Sequence, residues 1–175
     1  MATTASKHPM KIQLTPGQAV TVHGWVRARR CLTWGDVLAI EGVTFRFLLT
    51  TCRIPEHVLF SLQPDLESWI KTERASLEDA PNMLAWGAHP IRDFHADLAE
   101  LIRMAWAPEA LKRMGVTVDD LVSVGLTPDT MILFGFSLHG WATLGLSRDF
   151  AERIPVHTLY RLFRMPRMDV LASLR

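Results

Sequence analysis

The sequence predicts an α+β fold: a small N-terminal antiparallel β-sheet, then a solenoid-like array of short α-helices built on a ten-residue repeat. Two observations carry this prediction. From Gly115 the chain repeats every ten residues without insertion. Before residue 53 it is dense in β-branched and aromatic residues, interrupted by short turn signals. A chain of 175 residues has room for one ordinary domain or two very small ones.

Residues 1–9 read as a flexible N-terminus without the apolar core of a signal peptide. Residues 10–52 read as the β segment. Lys11–Leu14, a Thr15-Pro-Gly-Gln turn and Ala19–Val26 give strand, turn, strand. Val37–Ile40, Glu41-Gly42 and Val43–Leu49 give a hairpin, with Val43, Phe45, Phe47 and Leu49 alternating onto one face. A competing reading stays open. Cys31-Leu-Thr-Trp34 and Gly42-Val-Thr-Phe45 resemble the start of the repeat, and Thr21-Val-His-Gly-Trp25 echoes Ser137-Leu-His-Gly-Trp141. The repeat would then cover most of the chain.

Residues 53–84 read as connecting helices. Pro55-Glu-His-Val-Leu-Phe60 opens like Pro128-Asp-Thr-Met-Ile-Leu133, and Asp65 can cap a helix bearing Leu66, Trp69 and Ile70.

Residues 85–175 form the expected array. Four blocks start at Gly115, Gly125, Gly135 and Gly145, each reading glycine, apolar, Thr or Ser, with a mostly apolar seventh and an apolar tenth residue. Thr117, Thr127, Ser137 and Ser147 suit N-caps, where a hydroxyl accepts a free amide of the first turn. Pro128 falls first in its helix, and Asp119, Asp120, Asp129 and Asp149 fall in first turns, where the helix dipole favours negative charge. Val116, Leu126 and Phe136 can staple onto Leu121, Met131 and Trp141. Gly125, Gly135 and Gly145 sit where a left-handed residue closes a helix. The register extends back through Ala105, His95 and, weakly, Ala85. Asp97 to Ala107 is uninterrupted helix-former, which allows one longer helix there. The block from Pro155 departs, with Arg161 in the seventh place, and slips by one residue. Helices this short cannot stand alone, so stacked neighbours must supply the core.

The net charge of +1 hides a division. Residues 1–53 carry +5, residues 54–144 carry −7 and residues 145–175 carry +3. Unlike segments of this kind can steer one copy of the chain onto another. With 49% apolar and 21% charged residues the chain is globular rather than disordered. No apolar stretch is long enough to span a bilayer, and an intracellular site, cytoplasm or virion, is expected. Cys31 and Cys52 cannot make a disulfide framework.

No catalytic motif is present: no Gly-x-Ser-x-Gly, no Walker loop and no dinucleotide fingerprint. His89, Asp93, His95 and Asp97 lie close together but lack zinc-helix spacing. No catalytic residue, metal or cofactor is expected. The candidate contact residues are Arg27, Arg29 and Arg30 for phosphates, Trp34, and Ile132 and Leu133 in a block apolar on every side, which something must cover.

Two resemblances add to this. Val20-Thr-Val-His-Gly-Trp-Val-Arg-Ala-Arg-Arg30 looks like the first strand of the OB-fold anticodon-binding domain of class II aminoacyl-tRNA synthetases, which implies nucleic-acid binding through those arginines. Residues 105–154 resemble arrays of short helices, each opening Gly-apolar-Thr/Ser, in uncharacterised proteins of large DNA viruses. That resemblance implies no reaction and suits a virion or assembly component. The functional expectation is a non-enzymatic structural or protein-interaction protein, self-associating or part of a larger assembly. Nucleic-acid binding is the alternative.

Overall fold

The computed structural model describes residues 34–39, 42–62 and 65–174. The described chain is helical and, among those residues, contains no strand. The α+β expectation is therefore corrected: the described residues form a helical fold with no sheet. The strands expected at Lys11–Leu14 and Ala19–Val26 lie outside the described residues, as does the flexible N-terminus.

The expected hairpin over 37–49 is replaced by a helix, a left-handed turn and a second helical segment. Helix α1 is Trp34–Ala39, Gly42 turns at φ +76°, and a π-helical turn spans Phe47–Thr51. The burial pattern explains the change. A strand would bury Val43, Phe45, Phe47 and Leu49 together, but Phe47 and Leu49 are only half-buried. Beyond Val43, the fully buried residues are Phe45, Leu48 and Cys52, spaced by three and four as a helix requires. The backbone also finds other partners. Phe45 N–H donates to the Arg74 carbonyl at 2.6 Å, and the Arg74 guanidinium donates to the Val43 carbonyl at 2.7 Å. Thr44 Oγ1 accepts from Phe47 N–H at 3.1 Å. Gly42-Val43-Thr44 thus has the geometry of a helix start: left-handed glycine, buried apolar residue, capping hydroxyl.

The chain divides into two compact units, the first ending at Gly87 and the second running from Ala88 to Arg175. The first unit adds α2 (Glu56–Leu62), α3 (Leu66–Lys71) and two 3₁₀ turns, Leu77–Asn82 and Leu84–Trp86. Its core is aromatic. Trp69 is fully buried, with Trp34, Phe45 and Trp86 edge-on to it at centroid distances of 4.6, 5.5 and 6.4 Å.

The second unit holds α4 (Pro90–Phe94), α5 (Leu98–Met104), α6 (Pro108–Arg113), α7 (Val118–Ser123), α8 (Met131–Phe134), α9 (Leu138–Thr143), α10 (Arg148–Arg153), α11 (Val156–Phe163) and α12 (Arg167–Ser173). Left-handed residues recur at His95, Ala105, Gly115, Gly125, Gly135 and Gly145, every tenth position. Position 155 breaks the series, with Pro155 at φ −56°, and the next left-handed residue is Arg164 rather than residue 165. The longer helix allowed over 97–107 does not form. It stops at Met104, because Ala105 turns left-handed at φ +51° and Pro108 then opens α6.

One device links consecutive helices. At the end of α7, Gly125 N–H donates to the Val122 carbonyl at 3.0 Å and Leu126 N–H to the Leu121 carbonyl at 2.9 Å. The same pair of bonds closes α6 through Gly115 and Val116, and α9 through Gly145 and Leu146. This double bond pattern satisfies the last carbonyls of a helix. The apolar residue that ends one helix also precedes the cap of the next. Val116, Leu126 and Leu146 are all buried.

The seventh residue of each decad forms the core of this unit. Leu101, Leu111, Leu121, Met131, Trp141 and Ala151 are all at most 2% exposed. Beyond sequence neighbours, α6 packs against α9, α8 against α11 and α10 against α12. Val118 N–H, at the start of α7, reaches forward to the Leu144 carbonyl at 2.9 Å.

Candidate interaction surface

The polar clusters of the chain are built into its turns. In the second unit His89 is buried and caps α4. Its Nδ1 accepts from Arg92 N–H at 3.2 Å, and its own amide donates to Asp93 Oδ2 at 2.7 Å. The proton of the neutral ring is therefore on Nε2, which faces Asp120 Oδ2 at 3.8 Å. Asp120 closes the capping box of α7, accepting from Thr117 N–H at 2.8 Å and from the Thr117 hydroxyl at 2.6 Å. Burial pushes both carboxyls up, yet both end below their ordinary range. For Asp93 the hydrogen bonds from Arg92 and from the His89 amide prevail; for Asp120 those from Thr117 do, aided by His89.

Two histidine and aspartate pairs singled out in the sequence do not converge. His89 and Asp93 share the α4 cap, while His95 is the left-handed residue ending α4 and Asp97 caps α5. No group of three or more metal-binding side chains occurs among the described residues.

In the first unit Arg46 lies between Glu78, to which its guanidinium donates, and Asp79, with Nε 3.5 Å from Oδ1. Asp79 Oδ2 accepts from the Ser76 amide and hydroxyl at 2.9 and 3.1 Å. Beside them is a half-open depression of about 140 Å³ lined by Thr44, Glu73, Arg74 and these residues. Its polar groups fix the Ser76 cap and the Gly42–Phe45 turn. Burial pushes the Cys52 thiol up, away from the thiolate that a nucleophile needs.

The exposed apolar residues of α8, α11 and α12 are different in kind. Leu133, Val156, Tyr160 and Met168 are 63%, 55%, 54% and 72% exposed, the four most exposed large apolar residues described. α11 packs against both α8 and α12. Its sequence explains the exposure: Thr158 and Leu159 turn inward, leaving Val156 and Tyr160, four apart, on the outer side. Arg161 and Arg164 are exposed beside them, and Asp129 is exposed four residues before Leu133. None of these three charges has an ion-pair partner among the described residues.

Of the contact residues expected from sequence, Leu133 is among these exposed residues and Ile132 beside it is half-buried. Trp34 packs edge-on against Trp69 inside the first unit. Arg27, Arg29 and Arg30 lie outside the described residues. The repeat residues stand as follows. Thr117, Ser137 and Ser147 cap α7, α9 and α10. Thr127 Oγ1 accepts from Thr130 N–H at 3.3 Å, one turn before α8. Leu121, Met131 and Trp141 are buried, and Gly115, Gly125, Gly135 and Gly145 are left-handed. Val156, Tyr160, Arg161 and Arg164 escaped the sequence reading as a surface. The available signal was Arg161 at a seventh position, where the preceding decads place a core residue.

No family model, no curated protein and no solved structure matches the chain. No helix among the described residues is long and apolar enough to cross a membrane.

Proposed function

We propose that the chain is a non-enzymatic structural or protein-interaction protein that uses its short-helix array for assembly. The observation that carries this reading is the exposure of Leu133, Val156, Tyr160 and Met168 on α8, α11 and α12, of which α11 packs against the other two. Large apolar side chains left this exposed on packed helices suit contact with another macromolecule. The polar clusters add indirect support, since their hydrogen bonds hold caps and turns. The resemblance of residues 105–154 to short-helix proteins of large DNA viruses makes a virus particle one setting for such assembly.

The test is sedimentation velocity on nucleic-acid-free protein across a concentration series. Concentration-dependent association into a defined species is the expected result. A monomer at every concentration would remove self-assembly from this reading.

A further inference from the structure

We propose that His89 is a proton-operated switch: its neutral ring caps α4, and its charged ring leaves that cap for the carboxylate of Asp120 in α7.

The neutral arrangement is the one described above. His89 is 8% exposed, and its Nδ1 lone pair accepts from Arg92 N–H at 3.2 Å. A charged imidazole has a proton on both nitrogens and accepts nothing. Protonation of Nδ1 would therefore set one donor against another, and the bond to Arg92 N–H would be lost. That bond belongs to the first turn of a helix of only five residues, which has little else to hold its start.

The surroundings supply one good partner for the charged ring. On α4 the charged groups are Arg92 and Asp93. Asp93 is already occupied, accepting from the Arg92 guanidinium at 2.9 and 3.0 Å and from the His89 amide at 2.7 Å. The α7 side offers Asp120, whose Oδ2 stands 3.8 Å from His89 Nε2. That is too long for a hydrogen bond to the neutral ring and short enough for a charged one to close. Gly115 presents no side chain to the ring: a Cβ there would stand 3.6 Å from ring Cδ2. Burial opposes the charged ring, while Asp93 and Asp120 favour it.

The exchange has a direction. Imidazoles are the side chains that ordinarily change charge near neutral pH. Mild acid would loosen the start of α4, two residues after the first unit ends at Gly87, and tie His89 to the cap of α7.

The experiment is nuclear magnetic resonance on the nitrogen-15-labelled full chain, titrated from about pH 8 to about pH 5, with circular dichroism to confirm folding throughout. The histidine ring nitrogens report the protonation of His89. A nitrogen–nitrogen coupling across the Arg92–His89 bond reports the cap. The coupling is expected at the upper pH and should vanish as the ring gains its proton, with one midpoint for both signals. In Asp120→Asn the coupling should survive to lower pH, because the charged ring has lost its partner. In His89→Asn, whose side-chain oxygen can cap without titrating, the Arg92 amide proton should keep its chemical shift across the range.

A ring that stays neutral to the lower pH overturns the switch. So does a ring already charged at the upper pH, or one never coupled to the Arg92 amide. An Asp120→Asn variant that titrates like wild type overturns Asp120 as the second partner. An Arg92 amide that moves equally in His89→Asn and in wild type shows that another group drives it, and overturns the role of His89.

Discussion

A Cβ on Gly140 would stand 2.8 Å from Cγ of Pro108, a residue thirty-two positions earlier. Gly140 lies inside α9 and Pro108 opens α6, so the two helices meet where one lacks a side chain and the other has a rigid ring. The contact also explains a mid-helix glycine, which costs about 1 kcal/mol in propensity. Gly140→Ala would recover that propensity and drive a methyl into the proline ring. The Phe136 Cβ, 3.4 Å away, closes the other side. Proline cannot swing aside as a flexible side chain would, so the clash should win. The expected net loss is about 1–2 kcal/mol, read as a lower urea midpoint with an unchanged slope. An equal or raised midpoint would show that α6 and α9 separate freely.

The left-handed residues give a second, opposite pair of expectations. Ala105 holds φ +51° and Gly125 holds φ +100°. An L-residue pays about 1–2 kcal/mol for the left-handed region, while glycine costs about 0.4–1 kcal/mol in the unfolded chain. Ala105→Gly should therefore stabilise by about 0.5–1 kcal/mol. Gly125→Ala should destabilise by about 1 kcal/mol, and for a conformational reason alone, since nothing lies within 4 Å of the added Cβ. Gly125→Val should be worse still. Thermal melting of the three variants checks the ordering; a gain in Gly125→Ala would contradict it.

These two cases also show what a sequence can disclose. The caps of α7, α9 and α10 are legible because each is local: a hydroxyl reaches an amide three residues on. The turn at Gly125 is legible because glycine marks it. The turns at His95 and Ala105 carry no glycine, and only the ten-residue register points to them. The segment 37–49 misleads because Val43 and Phe45 fit a strand and a helix equally. The bonds that decide between them, Phe45 to Arg74 and Arg74 to Val43, span some thirty residues. The exposed apolar residues of α8 and α11 are half legible. Leu133 stands out in a run apolar on all sides, but Val156 and Tyr160 on α11 are hidden by the break in register at Pro155.

The Thr117–Asp120–His89 arrangement makes stability depend on acid. The folded-state pKa of Asp120 is lowered, as is that of Asp93. A depressed carboxyl contributes stability that is fully present above its unfolded pKa, near 4, and is lost as pH falls through the lower folded value. Asp120→Asn should therefore be less stable than wild type at neutral pH. The difference should shrink as pH falls from about 4 through the lowered folded value, where the wild-type carboxyl is itself protonated. Thr117→Ala should cost about 1 kcal/mol at neutral pH, the usual value of a lost cap. Urea melts of both variants at neutral and acid pH test this. An Asp120→Asn deficit of constant size across that range would mean that its charge plays no part.

The seventh residue of the decad supplies the final prediction. Leu121 is fully buried, and its carbonyl also accepts the Leu126 amide that closes α7. Its neighbour Val122 is 41% exposed. A helix of six residues has too little propensity to hold itself, so its stability comes from the side chain it buries. Leu121→Ala should cost about 2–4 kcal/mol through lost burial and the cavity left behind. Val122→Ala, one residue on and facing outward, should change stability by less than about 0.5 kcal/mol. Met131→Ala should behave like Leu121→Ala, since Met131 holds the same position one decad later and is equally buried. Chemical denaturation of the three variants separates the positions. Similar losses at 121 and 122 would mean that the decad does not set which side faces the core.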